Sequence, residues 1–447
     1  MPESRSKTTQ VKGLIDLKGI MTSVTHKVSG ELVRMSRREI SIGLLTGCQD
    51  RHYAFGLIKA LISRGLCLEV IGSPDIDSPE LHAIPQVNFL DLVGSETPHA
   101  GLVRKVLRVL SYYARLLPYA AVAKPQIFHI LWNYRLEYFD RTLLMLYYKL
   151  LGKKAVLTAH NINAGTRDSN DSWLNRLTLR MQYRLADHIF VHTSKMRSDL
   201  ISQFGVHERA ITLIPFGINN AVRNTGLTRA EARQRLQIGN EQKTILFFGR
   251  LGPYKGVELL VAAFQRILAR DPNYRLIIAG KPRGGCEKYV AEIQEAINGY
   301  GIQEQVRVRV EFIPEDDVEV YFMAADVSVL PYKYIFQSGV LFLAYSFGLP
   351  VIATDVGSFR EEIIEGRTGF LCKPDDPADL ANTIERYFAS HLYRCLDQRR
   401  QEIRDYANER YSWDKVGELT LNAYQGLLGK QEPIRPRTAN LQTEKRT

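Results

Sequence analysis

Cysteine is scarce in this sequence, and long apolar runs are missing. The five cysteines, at positions 48, 67, 286, 372 and 395, are odd in number and form no C-x-x-C pair. That excludes a disulfide framework or a cysteine-based zinc site as the organising element. No stretch of 18 or more uncharged apolar residues occurs, so no transmembrane helix is expected. Near the N-terminus, Lys7, Lys12, Asp16 and Lys18 alternate with apolar residues where a signal peptide would have its apolar core, and a cytoplasmic protein is therefore expected. What is present is the usage of a soluble globular chain, with 447 residues, 45% apolar and 24% charged. This is enough for two domains of roughly 200 residues each.

The net charge of +11 is unevenly placed. Residues 1–40 hold eight basic and four acidic side chains, residues 430–447 five and two, and residues 97–124 five and none. The remainder is close to neutral, which argues against a broad nucleic-acid-binding face. Within the internal basic stretch, Leu102 to Leu117 reads as a helix with Arg104, Arg108 and Arg115 on one face, beside Lys105, and a Leu/Val/Tyr face opposite. Such a helix fits either an anionic membrane surface or an ordinary surface position with its apolar side in the core.

Apolar strand-like runs alternate with helical patterns, the signature of parallel α/β units. In the first half the strands are expected at 40–46, 66–71, 126–131, 155–159, 188–192 and 211–214; a second series lies at 244–248, 275–279, 308–312, 327–330 and 350–353. The halves do not repeat in sequence. The expected organisation is a mobile basic tail over 1–36, a Rossmann-like domain over 37–220, a linker over 221–240, a second Rossmann-like domain over 241–410, a further helix over 411–429 and a mobile tail over 430–447. Two such domains facing each other create a cleft at the carboxyl ends of their strands.

Two segments bring chemistry to that cleft. The first, Phe247 to Gly256, has three glycines and carries Arg250 and Lys255 beside a helix start near Val257. A planar guanidinium and a point-charge amine beside free helix N–H groups suit a diphosphate, although the loop alone fits equally a glycine-rich connection with two solvated cations. The second is Gln337-Ser338-Gly339-Val340-Leu341, with Ser338 a natural N-cap and Glu361 and Glu362 downstream. Its backbone amides suit phosphate or sugar hydroxyls.

The order of these and other fragments resembles the retaining glycosyltransferases of family 4, which have the GT-B fold and use nucleotide-sugar donors. The resemblance runs from Ile40-Ser41-Ile42-Gly43 through Thr158-Ala159-His160-Asn161, Ile214-Pro215-Phe216-Gly217, Phe248-Gly249-Arg250 with Lys255, and Gly348-Leu349-Pro350-Val351-Ile352-Ala353, to Glu365-Gly366-Arg367-Thr368-Gly369. It implies two Rossmann-like domains facing across a cleft, a first domain that binds the acceptor, and a C-terminal helix crossing back to the first domain. It also implies that Arg250 and Lys255, with Gly249 at the turn, hold the donor diphosphate, and that His160 reaches toward the transferred sugar. His129, His188 and His192 read instead as structural.

One departure stands out. The family's Glu-x7-Glu pair falls on Ile335 and Leu343 here. The resemblance then passes donor contacts to Gln337, Ser338, Gly339 and Val340, with Glu361 as the nearest carboxylate. No metal or cofactor is expected; the one Asp-x-Asp, Asp75-Ile76-Asp77, lies between Pro74 and Pro79 and reads as a turn. The implied reaction moves a sugar from a nucleotide-diphosphate sugar to a glycan or lipid-linked acceptor with retention, with peripheral contact to an anionic membrane through Arg104, Lys105, Arg108 and Arg115. Two rivals share the fold: a catalytically silent binding or scaffold subunit, and a nucleotide-sugar epimerase.

Overall fold

The computed structural model describes residues 40–74, 76–94, 101–167, 171–218 and 225–429. The two tails, Asp75 of the Asp-x-Asp turn and the start of the linker lie outside these residues. Two parallel sheets form the frame. The first has seven strands, β1 (Ser41–Leu45), β2 (Cys67–Gly72), β3 (Val87–Asp91), β4 (Ile127–Ile130), β5 (Lys154–Ala159), β6 (His188–Val191) and β7 (Ile211–Leu213), in the order β3-β2-β1-β4-β5-β6-β7. The second has six, β8 (Lys243–Phe248), β9 (Tyr274–Ala279), β10 (Val306–Arg309), β11 (Val327–Leu330), β12 (Val351–Thr354) and β13 (Gly369–Cys372), in the order β10-β9-β8-β11-β12-β13. Central strands such as β4, β6, β11 and β12 are buried at every residue, as expected where helices cover both faces of a parallel sheet.

The helices that matter for function are α1 (Arg51–Ile62), α2 (Leu102–Val122), α3 (Trp173–Leu185), α4 (Val257–Leu268), α5 (Gly339–Ser346), α6 (Phe359–Glu362), α7 (Leu396–Arg410) and α8 (Trp413–Leu427). Two expectations need correction. Strands β3 and β13 were not anticipated: β3 is a half-exposed edge strand, and β13 opens on a glycine. The strand expected at 308–312 ends at Arg309, because Glu311 and Phe312 turn outward. Within the connecting stretch, the capping box of Thr228 with Glu231 starts a helix over Arg229–Arg235. That helix is anchored by Arg233, fully buried, which pairs with Asp326 at 2.8 Å and donates to the carbonyls of Gly239, Asn240 and Gln242.

Strand order reverses between β1 and β4 in one sheet and between β8 and β11 in the other. A crevice opens at such switch points, beyond the carboxyl ends of the strands. The chain crosses between the sheets a second time at its C-terminal end. Helix α8 packs on α1, Trp413 donates from Nε1 to the Ile218 carbonyl at 3.0 Å, and Tyr424 Oη lies 2.6 Å from His129 Nδ1 on β4.

Candidate active site

The loop after β8 is shaped by close backbone approach. Gly249 has φ +117°, and a β-carbon at Gly256, φ +62°, would stand 2.0 Å from the Pro331 carbonyl. These contacts pin the β8 loop against the loop after β11. Lys255 is buried, with Nζ 3.6 Å from the centre of the Tyr332 ring, a cation–π contact in a dry setting. Arg250 is exposed at the cleft. The start of α4 is less open to an anion than expected, because its first amide, on Val257, already donates to Tyr289 Oη at 3.0 Å.

Across from this loop, α5 begins at Gly339 with Ser338 in the cap position. The Ser338 side chain does not cap; it is buried, with Oγ 3.4 Å from Tyr332 Oη. Arg250, Lys255, Gln337, Ser338, Gly339 and Val340 line one cavity of about 420 Å³. Gly249 does not line it, but packs behind its wall, where a β-carbon would stand 3.2 Å from Val340. Both amide atoms of Gln337 are closed off from solvent without a hydrogen bond.

The structure does not bring Glu361 into this cavity. Its side chain is exposed and its Oε2 accepts from the Ser194 N–H at 3.4 Å, on the first-sheet side. The neighbouring Glu362 is the buried carboxyl, accepting the Tyr411 hydroxyl. Burial pushes Glu362 up to about 7, opposed by that hydrogen bond and by the Arg410 charge.

A second cavity, of about 430 Å³, is lined from the first sheet by His160, Asn133, Glu137, Arg141 and Gln182. Arg250 and Tyr254 line both cavities. His160 stacks on Trp132 with ring centres 4.2 Å apart and meets Tyr53 edge-on at 4.6 Å. Burial, with His192 and His129 nearby, holds its imidazole well below the usual histidine range, so at neutral pH it is an uncharged hydrogen-bonding group and a poor base. The sequence missed Asn133, Glu137, Arg141 and Gln182. They come from separate elements, Asn133 and Gln182 exchanging amide bonds across 49 residues and Arg141, inside a π-helical turn at Asp140–Leu144, pairing with Glu137 just before it; only the turn type hints at function. His129, His188 and His192 bond to Thr158, Thr212 and the Ile214 carbonyl respectively.

Arg104, Lys105, Arg108 and Arg115 lie together on α2, apart from both cavities. The helix buries Tyr112, Tyr113 and Leu116 but leaves its first turns unpacked, with Leu102 78% and Leu107 59% exposed. Helix α3 repeats the pattern unannounced: Trp173 is 76% exposed, with Leu174, Leu177 and Met181 on the same side and Arg176, Arg180 and Arg184 beside them. Neither helix contains an acidic residue. Among the described residues, no helix is long and apolar enough to cross a membrane, and no three His, Cys, Asp or Glu side chains gather as a metal site.

Two parallel α/β sheets with this cleft define the GT-B architecture. Solved structures agree: sucrose-phosphate synthase from Thermosynechococcus elongatus superposes with a TM-score of 0.72 at 20% identity, covering 88% of this chain and 100% of that one. HepE from Anabaena, in complex with UDP and glucose, gives 0.67 at 18% identity, covering 87% and 100%. The profile for glycosyl transferases group 1 matches residues 228–410, and that for glycosyltransferase family 4 matches residues 51–222. The chain belongs to the group 1, family 4 glycosyltransferases. Its relatives include D-inositol 3-phosphate glycosyltransferases from Geodermatophilus obscurus, 29% identical over 54% of this chain and 52% of that protein, and from Corynebacterium diphtheriae, 31% identical over 57% of each. The chain thus spans little more than half the length of these relatives.

Proposed function

We propose that this protein transfers a sugar from a nucleotide-diphosphate sugar to the hydroxyl of a glycan or lipid-linked acceptor, with retention of anomeric configuration. The observation that carries the reading is the position of Arg250, which lines both cavities while Lys255 lines one. Donor and acceptor would then meet at one guanidinium. In this reading the bond from the anomeric carbon to the diphosphate breaks as the acceptor oxygen bonds to the same face, and the acceptor proton passes to the departing diphosphate oxygen. Arg250 and Lys255 stabilise the charge that develops there. Gln337, Ser338, Gly339 and Val340 hold the donor, and the neutral His160 orients the sugar. The relatives named for a glycosyl transfer, and HepE structures holding UDP and UDP-glucose, support a nucleotide-sugar donor.

Charge stabilisation by two side-chain cations makes the reaction metal-independent and free of any cofactor, so a chelator should leave turnover unchanged. The Asn133, Glu137, Arg141 and Gln182 wall is assigned to the acceptor, since paired amides and an ion pair suit hydroxyl groups. Helices α2 and α3 follow strands β3 and β5, so both start at the carboxyl edge of the sheet, the edge on which the cleft opens. Their exposed apolar and basic faces are assigned to an anionic membrane surface, which would present a lipid-linked acceptor.

The decisive experiment is a thermal-shift panel of UDP, GDP, ADP and their sugars on the wild-type chain and on Arg250→Ala. A ligand at 100 times its dissociation constant stabilises by about 2.7 kcal/mol. Stabilisation by one nucleotide family, lost in the variant, is expected. No shift with any of them would overturn the donor site and leave the silent-subunit reading.

A further inference from the structure

The donor cavity has a cationic end, a polar side and an apolar wall. Arg250 and Lys255 form the cationic end, which the reading above gives to the diphosphate. Asp50 and His52, at the start of α1, form the polar side. Asp50 Oδ1 accepts from the Tyr53 N–H at 3.0 Å, and His52 Nε2 stands 3.4 Å from Glu315 Oε1. The wall is made by Ile335, Val340 and Leu343, joined by Phe216 from the segment after β7.

Packing fixes this wall. Gly357, with φ +60°, lies so near that a β-carbon there would stand 2.1 Å from the Ile335 carbonyl. Val340 and Leu343 are three residues apart on α5 and therefore share one face. Phe216 stacks on Phe342 of the same helix, with ring centres 5.2 Å apart. The polar side chains that lie between Ile335 and Leu343 in sequence do not soften the wall. Both amide atoms of Gln337 are closed off, and Ser338 is buried with its Oγ 3.4 Å from Tyr332 Oη. A sugar hydroxyl directed at the wall therefore finds no side-chain acceptor on it and loses its bonds to water, whereas a C–H or methyl group is favoured there.

We infer that the donor is the nucleotide of a deoxy sugar, which turns its deoxygenated carbon to Ile335, Val340 and Leu343 and its remaining hydroxyls to Asp50 and His52. The inference rests on the donor-site reading given above and adds to it the class of sugar. The sugar, rather than the nucleoside, is placed here because this cavity meets the acceptor cavity at Arg250 and Tyr254, and the anomeric carbon has to lie where the acceptor oxygen reaches it. Ile335 and Leu343 are the specificity-determining residues. They stand where the family has its acidic pair, so at both positions a hydrogen-bond acceptor has given way to hydrocarbon.

The test measures, by calorimetry, the binding of UDP, UDP-glucose and each singly deoxygenated form of UDP-glucose, with the GDP or ADP series used instead where the thermal-shift panel selects it. An apolar pocket rejects an added hydroxyl by at most about 100-fold. At least one deoxygenated form should accordingly bind about 10- to 100-fold more tightly than the parent. Leu343→Gln and Ile335→Gln, which each place an acceptor on the wall, should shrink or reverse that preference. It is read as a ratio between two sugar nucleotides, so a loss common to both cancels. Deoxygenated forms that all bind no better than UDP-glucose, or Gln variants that both keep the wild-type ratio, overturn the assignment while UDP binding leaves the donor site intact. Wild-type protein that binds neither a nucleoside diphosphate nor its sugars overturns the donor site itself, and this assignment with it.

Discussion

Trp413 lies so close to Gly56 that a β-carbon at position 56 would stand 2.0 Å from its indole ring. Gly217 is pressed against the same ring, with a corresponding distance of 2.3 Å. The two glycines come from α1 and from the segment after β7, so one indole on α8 locks the returning chain to both. Helix propensity alone would favour alanine over glycine in α1 by about 1 kcal/mol. Packing reverses the sign, and Gly56→Ala should destabilise by about 1–3 kcal/mol, the range for overpacking. Urea denaturation of Gly56→Ala, Trp413→Phe and the double variant measures it. The double variant should lose less than the two single losses added, because the smaller ring makes room. Strict additivity would show that the contact is not what sets the cost.

The contrast between propensity and packing also explains what could be read from the sequence. Central strands such as Val327–Leu330 were legible because burial on both faces demands an unbroken apolar run. The edge strand Val87–Asp91 was not, since its VNFLD is half exposed and mixes polar with apolar residues. Arg250, Lys255 and Gln337 were legible because glycine spacing marks loops at strand ends. Glu361 and Glu362 are adjacent carboxylates, and only the facing of one short helix sends the first outward and the second into the interior. The wall of Asn133, Glu137, Arg141 and Gln182 left no motif, because its parts come from separate elements. The apolar stripe of α3 has the spacing of a core face, and nothing in its sequence tells that Trp173 is left outside.

Arg250 and Lys255 should separate in their effects. Arg250 is exposed, so Arg250→Ala should leave the stability of the ligand-free chain within about 0.5 kcal/mol of wild type. Its loss should fall on nucleoside diphosphate binding by about 10- to 100-fold, the worth of a charge-assisted hydrogen bond, with little change for the monophosphate. Lys255 is buried over Tyr332. Lys255→Ala should weaken the diphosphate and also lower the melting temperature without ligand. Calorimetry and melting curves on both variants decide; equal losses for mono- and diphosphate from Arg250→Ala would remove its assignment to the diphosphate.

The buried histidines predict an acid-sensitive fold. Burial lowers His129 to about 3 and His188 and His192 to about 4. Between the unfolded value near 6.5 and these folded values, the unfolded chain binds protons that the native chain refuses, so stability falls as pH falls. Each histidine contributes about 1.4 kcal/mol per pH unit across its window. Asp140 and Glu362 act in the opposite sense, because burial raises them to about 6 and about 7, and their protonation favours the native state as pH falls toward 4.5. Denaturation of His188→Gln between pH 6.5 and 4.5 should show a slope shallower than wild type by about one such contribution. An unchanged slope would mean that His188 titrates alike in both states.

Membrane contact is testable through two kinds of residue on two helices. On α3 the Arg176, Arg180 and Arg184 row lies beside the Trp173, Leu177 and Met181 row, the arrangement of an interfacial helix whose apolar side enters the headgroup layer. Each basic side chain near an anionic surface contributes about 1 kcal/mol. Arg104→Gln with Lys105→Gln should therefore weaken binding to vesicles rich in anionic lipid by about 30-fold, and added salt should erase the difference. Trp173→Ser should weaken binding at every salt concentration, because the lost term is apolar area. The two classes of variant thus differ in salt dependence, which co-sedimentation reads directly. Equal recovery of wild-type protein on neutral and anionic vesicles would show that these faces are ordinary solvated surface.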